Sequence, residues 1–237
     1  MKYAIFDTET NGLFTFKDAN GVPVPADDPR QPRLAHLSII LLDDDLKEEG
    51  SIDLYVKPDG WSMPQGPKSA GEVNGLTDEF LTENGAPVVD VLDQYVRVID
   101  AGYTMVAFNA QFDLKQMRGE LRRVGIDDRF ERTPNICVMR AAMSLGVQKA
   151  GGGRGFPKLS DCMAHLGIEH EGVHTAGGDA RAALALFLHL HARNELPAAR
   201  VHYAKTPPPD RKFVDAPPIA PSLSDVSVPI GSLPEKF

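Results

Sequence analysis

The apolar residues of this chain form short continuous runs and helical periods that alternate along the sequence. Continuous runs predict strands, and apolar residues spaced three or four apart predict helices. The predicted strands cover residues 2–7, 34–42, 51–57 and 104–108, and the predicted helices cover residues 88–100, 111–123, 137–146, 159–166 and 178–193. Strands followed by mixed strands and helices indicate an α/β fold, with a central mixed sheet flanked by helices.

Two segments depart from this pattern. Residues 14–33 contain Asn20-Gly21 and four prolines, which predicts a loop or an edge hairpin outside the core. Residues 205–237 contain eight prolines and few large apolar residues, so they cannot build a core of their own. We therefore predict one domain over residues 1–200 and an extended, proline-rich C-terminal tail over residues 201–237.

Composition narrows the class of protein without identifying it. The sequence has 237 residues, a net charge of −8, and no apolar stretch near the ~20 residues needed to span a membrane. Its N-terminal apolar run is too short for a signal peptide. Cys137 and Cys162 make no disulfide framework, so we expect reduced thiols in a cytoplasmic protein. Without a long apolar stretch, we expect no membrane partner. The acidic balance argues against indiscriminate binding of duplex nucleic acid.

Candidate chemistry lies in three acidic segments that follow one another along the chain. Asp7 and Glu9 lie at the end of the first predicted strand, and Asp113 lies early in a predicted helix. Asp179 follows His174 by five residues. Four converging carboxylates repel one another strongly unless cations lie between them, and their oxygens suit Mg²⁺ or Mn²⁺ better than zinc. Two such ions about 4 Å apart are the usual apparatus for in-line attack on a phosphodiester.

At these residues the chain resembles the DEDDh branch of the 3′–5′ exonucleases, which includes the proofreading subunits of bacterial replicative polymerases. The three matching motifs are Asp7-Thr8-Glu9-Thr10-Asn11-Gly12-Leu13, Phe108-Asn109-Ala110-Gln111-Phe112-Asp113, and His174 followed by Asp179. Residues 74–79 and 159–168 match connecting segments of the family. The resemblance covers residues 1–195 and implies a ribonuclease H-like fold with a central mixed five-stranded sheet flanked by helices.

The resemblance also implies a role for each matching residue. The four carboxylates would bind two Mg²⁺ or Mn²⁺ ions, and His174 would be the general base that takes a proton from the attacking water. Backbone around Thr8 and Glu9 would contact the terminal 3′-hydroxyl, Leu13 would pack against the last base, and Asn109 would support the substrate side. The implied catalytic and metal-binding set is thus Asp7, Glu9, Asp113, His174 and Asp179. The expected partner is a nucleic acid with a free 3′ end, DNA in preference to RNA.

Several features allow a structural interpretation beside the functional one. Each carboxylate taken alone could be a solvated strand end or a favourable charge at a helix N-terminus. Lys115, Arg118 and Arg122 form a basic stripe at helical spacing, for which a solvated face is slightly favoured over a nucleic-acid track. His170 is assigned a structural role, because its spacing from His174 and Cys162 suits zinc poorly. The pair Gly177-Gly178 is expected to loosen the loop that carries His174.

Three functions remain open on the sequence alone. The leading one is a metal-dependent 3′–5′ exonuclease that trims or proofreads DNA and releases nucleoside 5′-monophosphates. The second is a 3′–5′ exoribonuclease of the same fold, since nothing in the sequence clearly reads a 2′-hydroxyl. The third is a replisome-bound adaptor that acts mainly through its tail, which we expect to dock on a DNA polymerase or another replication protein. The resemblance assigns no role to residues 14–33.

Overall fold

The computed structural model describes residues 1–147, 149 and 155–201. Six strands make one sheet: β1 (Tyr3–Thr10), β2 (Leu34–Leu42), β3 (Glu48–Tyr55), β4 (Thr104–Ala107), β5 (Pro134–Cys137) and β6 (Arg200–Val201). The helices are α1 (Ala70–Asn74), α2 (Asp78–Asn84), α3 (Val88–Asp100), α4 (Ala110–Arg123), α5 (Val138–Ala141), α6 (Leu159–Leu166) and α7 (Ala176–Ala192). Short 3₁₀ turns cover Phe130–Arg132 and Ala142–Leu145.

The sheet is mixed, with the strand order β3-β2-β1-β4-β5-β6. Strand β1 pairs antiparallel with β2 along its whole length and parallel with β4 over only its first three residues, Tyr3 to Ile5. All nine residues of β2 are buried, which explains its continuous apolar run, because a central strand covered on both faces has no solvent side. The second half of β1, from Phe6 to Thr10, therefore pairs with β2 on one edge and with no strand of the described sheet on the other.

Helices cover both faces of this sheet. Helices α3 and α4 bury apolar side chains against the face that carries Ala4 and Phe6. Helices α5, α6 and α7 bury theirs against the opposite face, which carries Ile5 and Val106. A smaller cluster around Met63, Leu76 and Leu81 packs the short helices α1 and α2 beside the sheet. The fold is thus three-layered, with β1 at its centre.

The predicted fold class is confirmed: a mixed sheet flanked by helices in the ribonuclease H-like arrangement. The sheet has six strands where the resemblance implied five, because Arg200–Val201 adds a short antiparallel edge to β5. Strand β5 was not predicted from the sequence, since four residues beginning with proline carry too little periodicity to predict a strand. The strand predicted at 2–7 continues to Thr10, and the helix predicted at 137–146 divides into α5 and a 3₁₀ turn.

Residues 14–33 contribute no strand or helix to the sheet, and an isolated bridge pairs Lys17 with Pro23. The tail predicted at 201–237 lies outside the described residues except for Val201. Among the helices in the described ranges, none is both long enough and apolar enough to cross a membrane.

Candidate active site

The site is built on the half of β1 that lacks a second strand partner. Strand β4 ends at Ala107, and α4 begins three residues later, at Ala110. Side chains alternate along a strand, so Asp7 and Glu9 share the face of Ile5, which lies toward α7. Thr8 lies between them and is buried on the other side. The early end of β4 thus exposes an edge of β1 at the position of the first motif.

Asp113 occupies that open edge. Its Oδ1 accepts a hydrogen bond of 3.1 Å from the backbone N–H of Thr8 and one of 2.8 Å from the Thr8 hydroxyl. The carboxylate therefore satisfies a backbone donor that a neighbouring strand would otherwise satisfy, and it holds α4 against β1. Both donors of Thr8 are used by these bonds, so the contact predicted between backbone around Thr8 and a substrate stays a prediction.

Asp7, Glu9 and Asp179 form one carboxylate cluster. Each offers a carboxylate oxygen that lies within 4.8 Å of the others, a spacing that suits shared ligation of a cation. Asp179 reaches the cluster from the first turn of α7, which crosses β1 and β2. The structure thus brings all four predicted carboxylates to one end of β1, three in direct proximity and Asp113 beside them.

Burial raises the pKa of every carboxyl in this group, and repulsion by acidic neighbours adds to this for Asp7, Glu9 and Asp113. Burial raises the pKa of Glu9 to about 8, assisted by the charges of Asp179 and Asp113. Burial raises that of Asp113 to about 7, although the bonds from Thr8 oppose the shift. The pKa of Asp7 is raised well above its usual range by burial and then by its three acidic neighbours. Such a group of acids stores repulsion that a bound cation would relieve.

Two histidines flank Asp179, and their placement differs from the sequence expectation. His170 is the one whose side chain contacts the carboxylate, with Nε2 2.8 Å from Asp179 Oδ1. Its ring is only 9% exposed, and its Nδ1 has no partner among the described residues. His174, the predicted general base, lies exposed on the cleft wall with φ of +64°, in the left-handed region that is uncommon outside glycine. The structural role assigned to His170 from sequence is therefore incomplete, since it orients a site carboxylate.

The glycine pair before Asp179 does not loosen the histidine loop, because both glycines lie inside α7. The hydroxyl of Thr175 caps this helix by accepting a bond from the Gly178 N–H. A Cβ at Gly178 would lie 2.1 Å from the carbonyl oxygen of Gly172, so only glycine allows this approach. A Cβ at Gly177 would make ordinary contact, 3.5 Å from Asp53 Oδ1. Gly178 thus packs the loop of residues 170–174 against the helix.

The sequence reasoning missed a supporting amide at Asn74. It is buried, its Nδ2 donates to the carbonyl of Thr10, and its Oδ1 accepts from the Leu76 N–H. Its side chain also hydrogen-bonds Glu9 and lowers that group's pKa against the larger effect of burial. The sequence contained a sign of this role, because Asn74 begins the segment 74–79 that matches the family. Only the fold shows that the Asn74 side chain lies beside β1.

An open cleft of about 500 Å³ gathers these groups. Its wall includes seven of the predicted site residues: Asp7, Thr8, Glu9, Asn109, Asp113, His174 and Asp179. Leu13 lies outside it, on the wall of a neighbouring cavity of about 320 Å³, with its side chain 85% exposed. The cleft is open to solvent.

Two other sequence features have structural roles. Arg118 and Arg122 of the basic stripe both pair with Asp128, so they hold the segment after α4. Cys162 is buried and Cys137 half-buried, and both are free thiols. Neither cysteine is part of the carboxylate cluster found among the described residues.

Comparison with known proteins places this arrangement in a family. The profile of the family described as exonuclease (RNase T) matches residues 4–187. No curated protein sequence matches the chain.

Solved structures of exonuclease I share the fold. The E. coli enzyme in complex with a dT13 oligonucleotide has a TM-score of 0.66 and 21% identity over 81% of this chain and 41% of its own. The zinc ion bound form of the E. coli ExoI–ssDNA complex gives 0.63 and 19% over 81% and 41%. A moderately thermophilic exonuclease I from Methylocaldum szegediense gives 0.61 and 22% over 81% and 40%.

This chain therefore spans about two fifths of the length of those exonuclease I chains. At such identities the likeness shows a shared fold. The family profile goes further, because it covers most of the 237 residues. The chain belongs to the exonuclease family.

Proposed function

We propose that this protein is a metal-dependent 3′–5′ exonuclease that shortens single-stranded DNA from its 3′ end and releases nucleoside 5′-monophosphates. The observation that carries the proposal is the convergence of Asp7, Glu9 and Asp179 within 4.8 Å, at the end of a central strand. Asp113 and two histidines lie beside them in the same cleft. Family membership and the fold shared with exonuclease I support the same reaction class.

The donor set fits hard divalent cations. All the atoms that the cluster offers to a cation are carboxylate oxygens. Burial and the charges of acidic neighbours raise the pKa of Glu9, and a bound cation would offset both effects. Two Mg²⁺ or Mn²⁺ ions, when bound, would activate the attacking water and neutralise the leaving 3′-oxyanion. A structure of the E. coli relative holds zinc, so assays with Mg²⁺, Mn²⁺ and Zn²⁺ separately will identify the active ion.

Each site residue is assigned a role from its position in the cleft. Asp7, Glu9 and Asp179 would hold the ion that orients the water, and Asp7 with Asp113 would hold the second. Because Thr8 occupies Oδ1 of Asp113, its Oδ2 is the oxygen left for a cation. His174 stands exposed on the cleft wall, where it would take the proton of the attacking water. His170 would keep Asp179 in its ligating orientation.

Substrate polarity follows from the implied contacts of the family. Leu13 and Asn109 would hold the terminal nucleotide, and backbone near Glu9 would read its 3′-hydroxyl. A paired end would have to unpair before reaching the cleft, which costs a few kcal/mol, so frayed or single-stranded ends should be preferred. We place the protein in the cytoplasm and propose that its tail docks on a DNA polymerase or another replication protein.

A single gel experiment tests this function. Oligonucleotides of DNA and of RNA, labelled at either the 5′ or the 3′ end, are incubated with the protein and Mg²⁺. The proposal predicts a descending ladder from 5′-labelled DNA, immediate release of labelled mononucleotide from the 3′ end, and protection by a 3′-phosphate. Cleavage of a circular single strand would show an endonuclease, and degradation of RNA alone would favour the exoribonuclease.

A further inference from the structure

The insertion of residues 14–33 presents an aromatic ring to solvent beside the active site. Phe16 is 57% exposed, and Leu13 next to the insertion is the most exposed large apolar side chain in the described part of the chain. Covering an exposed apolar ring with a ligand is favourable, so these side chains are candidates for a binding surface.

The backbone that carries Phe16 is braced from within. The side chain of Gln31 is 3% exposed, accepts a hydrogen bond from the Thr15 N–H at 3.0 Å, and donates to the Thr15 carbonyl at 2.8 Å. The carbonyl of Phe16 itself accepts from the Val24 N–H at 3.0 Å. The backbone beneath the ring is therefore held in place before any ligand arrives, which lowers the entropy lost on binding.

A chain of aromatic contacts connects Phe16 to the catalytic cleft. Phe14 is buried under Phe16, with ring centroids 6.1 Å apart, and packs edge-on against Phe112 at 5.0 Å. Phe112 lines the cleft and precedes Asp113 directly. The insertion is also seated on α4, where a Cβ at Gly119 would lie 2.4 Å from the Ala26 carbonyl. The exposed ring of Phe16 is thus joined to the cleft wall by ring contacts through the buried Phe14.

A positive charge accompanies the rings. Lys115 Nζ lies 4.5 Å from the ring centroid of Phe14 and 4.6 Å from that of Phe16. Unlike Arg118 and Arg122, which both pair with Asp128, Lys115 forms no salt bridge with any residue in the described ranges. A cation without a carboxylate partner, beside an exposed aromatic face, offers one site for a phosphate and one for a base.

We propose that Phe16 and Lys115, supported by Phe14, form a subsite for the strand upstream of the scissile bond. A base stacks on Phe16 while the neighbouring phosphate pairs with Lys115, and both contacts tolerate any sequence. This inference rests on the proposed function and extends it, because it gives the insertion the role of holding the strand while its end is cut. The occupant is a single-stranded nucleic acid, since its repeating unit offers a planar base for the ring and an anionic phosphate for Lys115.

Binding measurements test the subsite separately from hydrolysis. A 12-nucleotide single-stranded DNA with a 5′ fluorophore is titrated with protein carrying Asp179→Asn, which suppresses turnover, and anisotropy gives the dissociation constant. Phe16→Ala should weaken binding by about 5- to 100-fold, the usual loss when one stacking ring is removed. Phe16→Trp should retain affinity, because a ring remains. Lys115→Gln should weaken binding and reduce the slope of log affinity against log salt by about 0.7.

Two control variants change similar side chains that lie outside the subsite. Val22→Ala removes another exposed apolar side chain of the insertion, and Lys47→Gln removes an exposed charge from the turn between β2 and β3. Both should bind within about twofold of the parent, and thermal melting should show that all variants are folded. In the active background, Phe16→Ala should raise KM for single-stranded DNA more than it lowers kcat.

The outcomes separate the subsite from the function. If hydrolysis is normal but Phe16→Ala and Lys115→Gln bind like the parent, the subsite is wrong and the exonuclease assignment stands. If the parent binds the strand and both variants lose it, but no background hydrolyses DNA, the subsite stands and the function fails. If the parent shows no affinity for single-stranded DNA, both are overturned.

Discussion

At the residue scale, the site is governed by the burial of four acids and by the repulsion among them. Glu9 with a pKa of about 8 and Asp113 with one of about 7 retain protons near neutral pH when no cation is present. A divalent ion reverses this preference, because it stabilises the ionised carboxylates that bind it. The same residues are therefore a source of instability without metal and a source of stability with it.

This predicts the pH dependence of the metal-free protein. The folded-state pKa of Glu9 is raised from an ordinary 4.5 to about 8, so in this window the native state keeps a proton that the unfolded chain releases. Stability should therefore decline as pH rises from 4.5 towards 8, the range between those two pKa values. Thermal melting in EDTA across this range measures it. Added Mg²⁺ should raise Tm most at the alkaline end.

A substitution isolates the contribution of Glu9. Glu9→Gln should flatten the decline in Tm, because the amide neither titrates nor repels its neighbours. Glu83→Gln, at an exposed acid of α2, should leave the profile unchanged. Parallel profiles for the wild type and Glu9→Gln would show that repulsion at this carboxylate is not felt by the fold.

The two histidines should have separable roles. His174→Ala should lose about 10²- to 10⁴-fold in kcat at saturating Mg²⁺, the usual share of a general base. His170→Ala should lose less and should need more Mg²⁺ for half its maximal rate, because His170 acts by orienting Asp179. His165→Ala, on the exposed side of α6, is the control. If His170→Ala loses as much activity as predicted for His174→Ala and keeps the wild-type Mg²⁺ dependence, then His170 rather than His174 is the general base.

Motif spacing was sufficient to find the carboxylates and insufficient to find their partners. Asp7, Asp113 and Asp179 were identified because their neighbours repeat a known order along the chain. The bond between Thr8 and Asp113 joins residues 105 positions apart, and it exists because β4 ends early beside β1. Such contacts depend on where strands end in space, which local sequence does not encode.

At the element scale, agreement between sequence and structure follows the strength of the periodicity. The helices predicted at 88–100 and 159–166 have the bounds observed for α3 and α6. Helix α7 begins at Ala176 rather than at 178, because Thr175 caps it and tertiary contacts override the low helix propensity of two glycines. Close backbone approach, as at Gly178, cannot be recognised until the partner segment is known.

The glycine pair offers a matched test of this packing. Gly178→Ala should destabilise the protein by about 1–3 kcal/mol and lower kcat, because its Cβ would displace the carbonyl of Gly172 and the histidine loop with it. Gly177→Ala should be neutral or stabilise by up to about 1 kcal/mol, since its Cβ has room and alanine favours a helix. Chemical denaturation with parallel kinetics measures both. Equal effects would show that the loop does not rest on Gly178.

At the scale of the whole molecule, the sheet and its two helical layers bring three distant segments to one end of β1. The net charge of −8 is compatible with this site, because the proposed cations would cancel part of it where the strand enters. Residues 14–33 add a feature that the family resemblance did not explain, the exposed ring of Phe16 with Lys115 of α4 beside it. The architecture thus places a candidate strand-binding surface next to a candidate reaction centre.

We propose that the tail serves in docking rather than in hydrolysis. Truncation after residue 204 should leave hydrolysis of short oligonucleotides nearly unchanged, because every proposed catalytic residue lies upstream. The same truncation should weaken association with a replication partner, measured by co-sedimentation with a DNA polymerase. Loss of activity on free oligonucleotides, or unfolding of the truncated chain, would assign the tail to the domain.

Metal-dependent hydrolysis at the carboxylate cluster is tested by measuring release of nucleoside 5′-monophosphate from single-stranded DNA by the wild type, Asp7→Ala and Asp179→Ala, each with Mg²⁺ and with EDTA. The wild type should be active only with Mg²⁺, and both variants should be inactive, because each lacks a ligand of the proposed cluster. Both variants should melt at or above the metal-free wild-type temperature, since each removes a buried carboxyl from the cluster, and the charge of Asp179 helps raise the pKa of both Asp7 and Glu9. Full activity in EDTA, or in either variant, would contradict metal-dependent hydrolysis at this site.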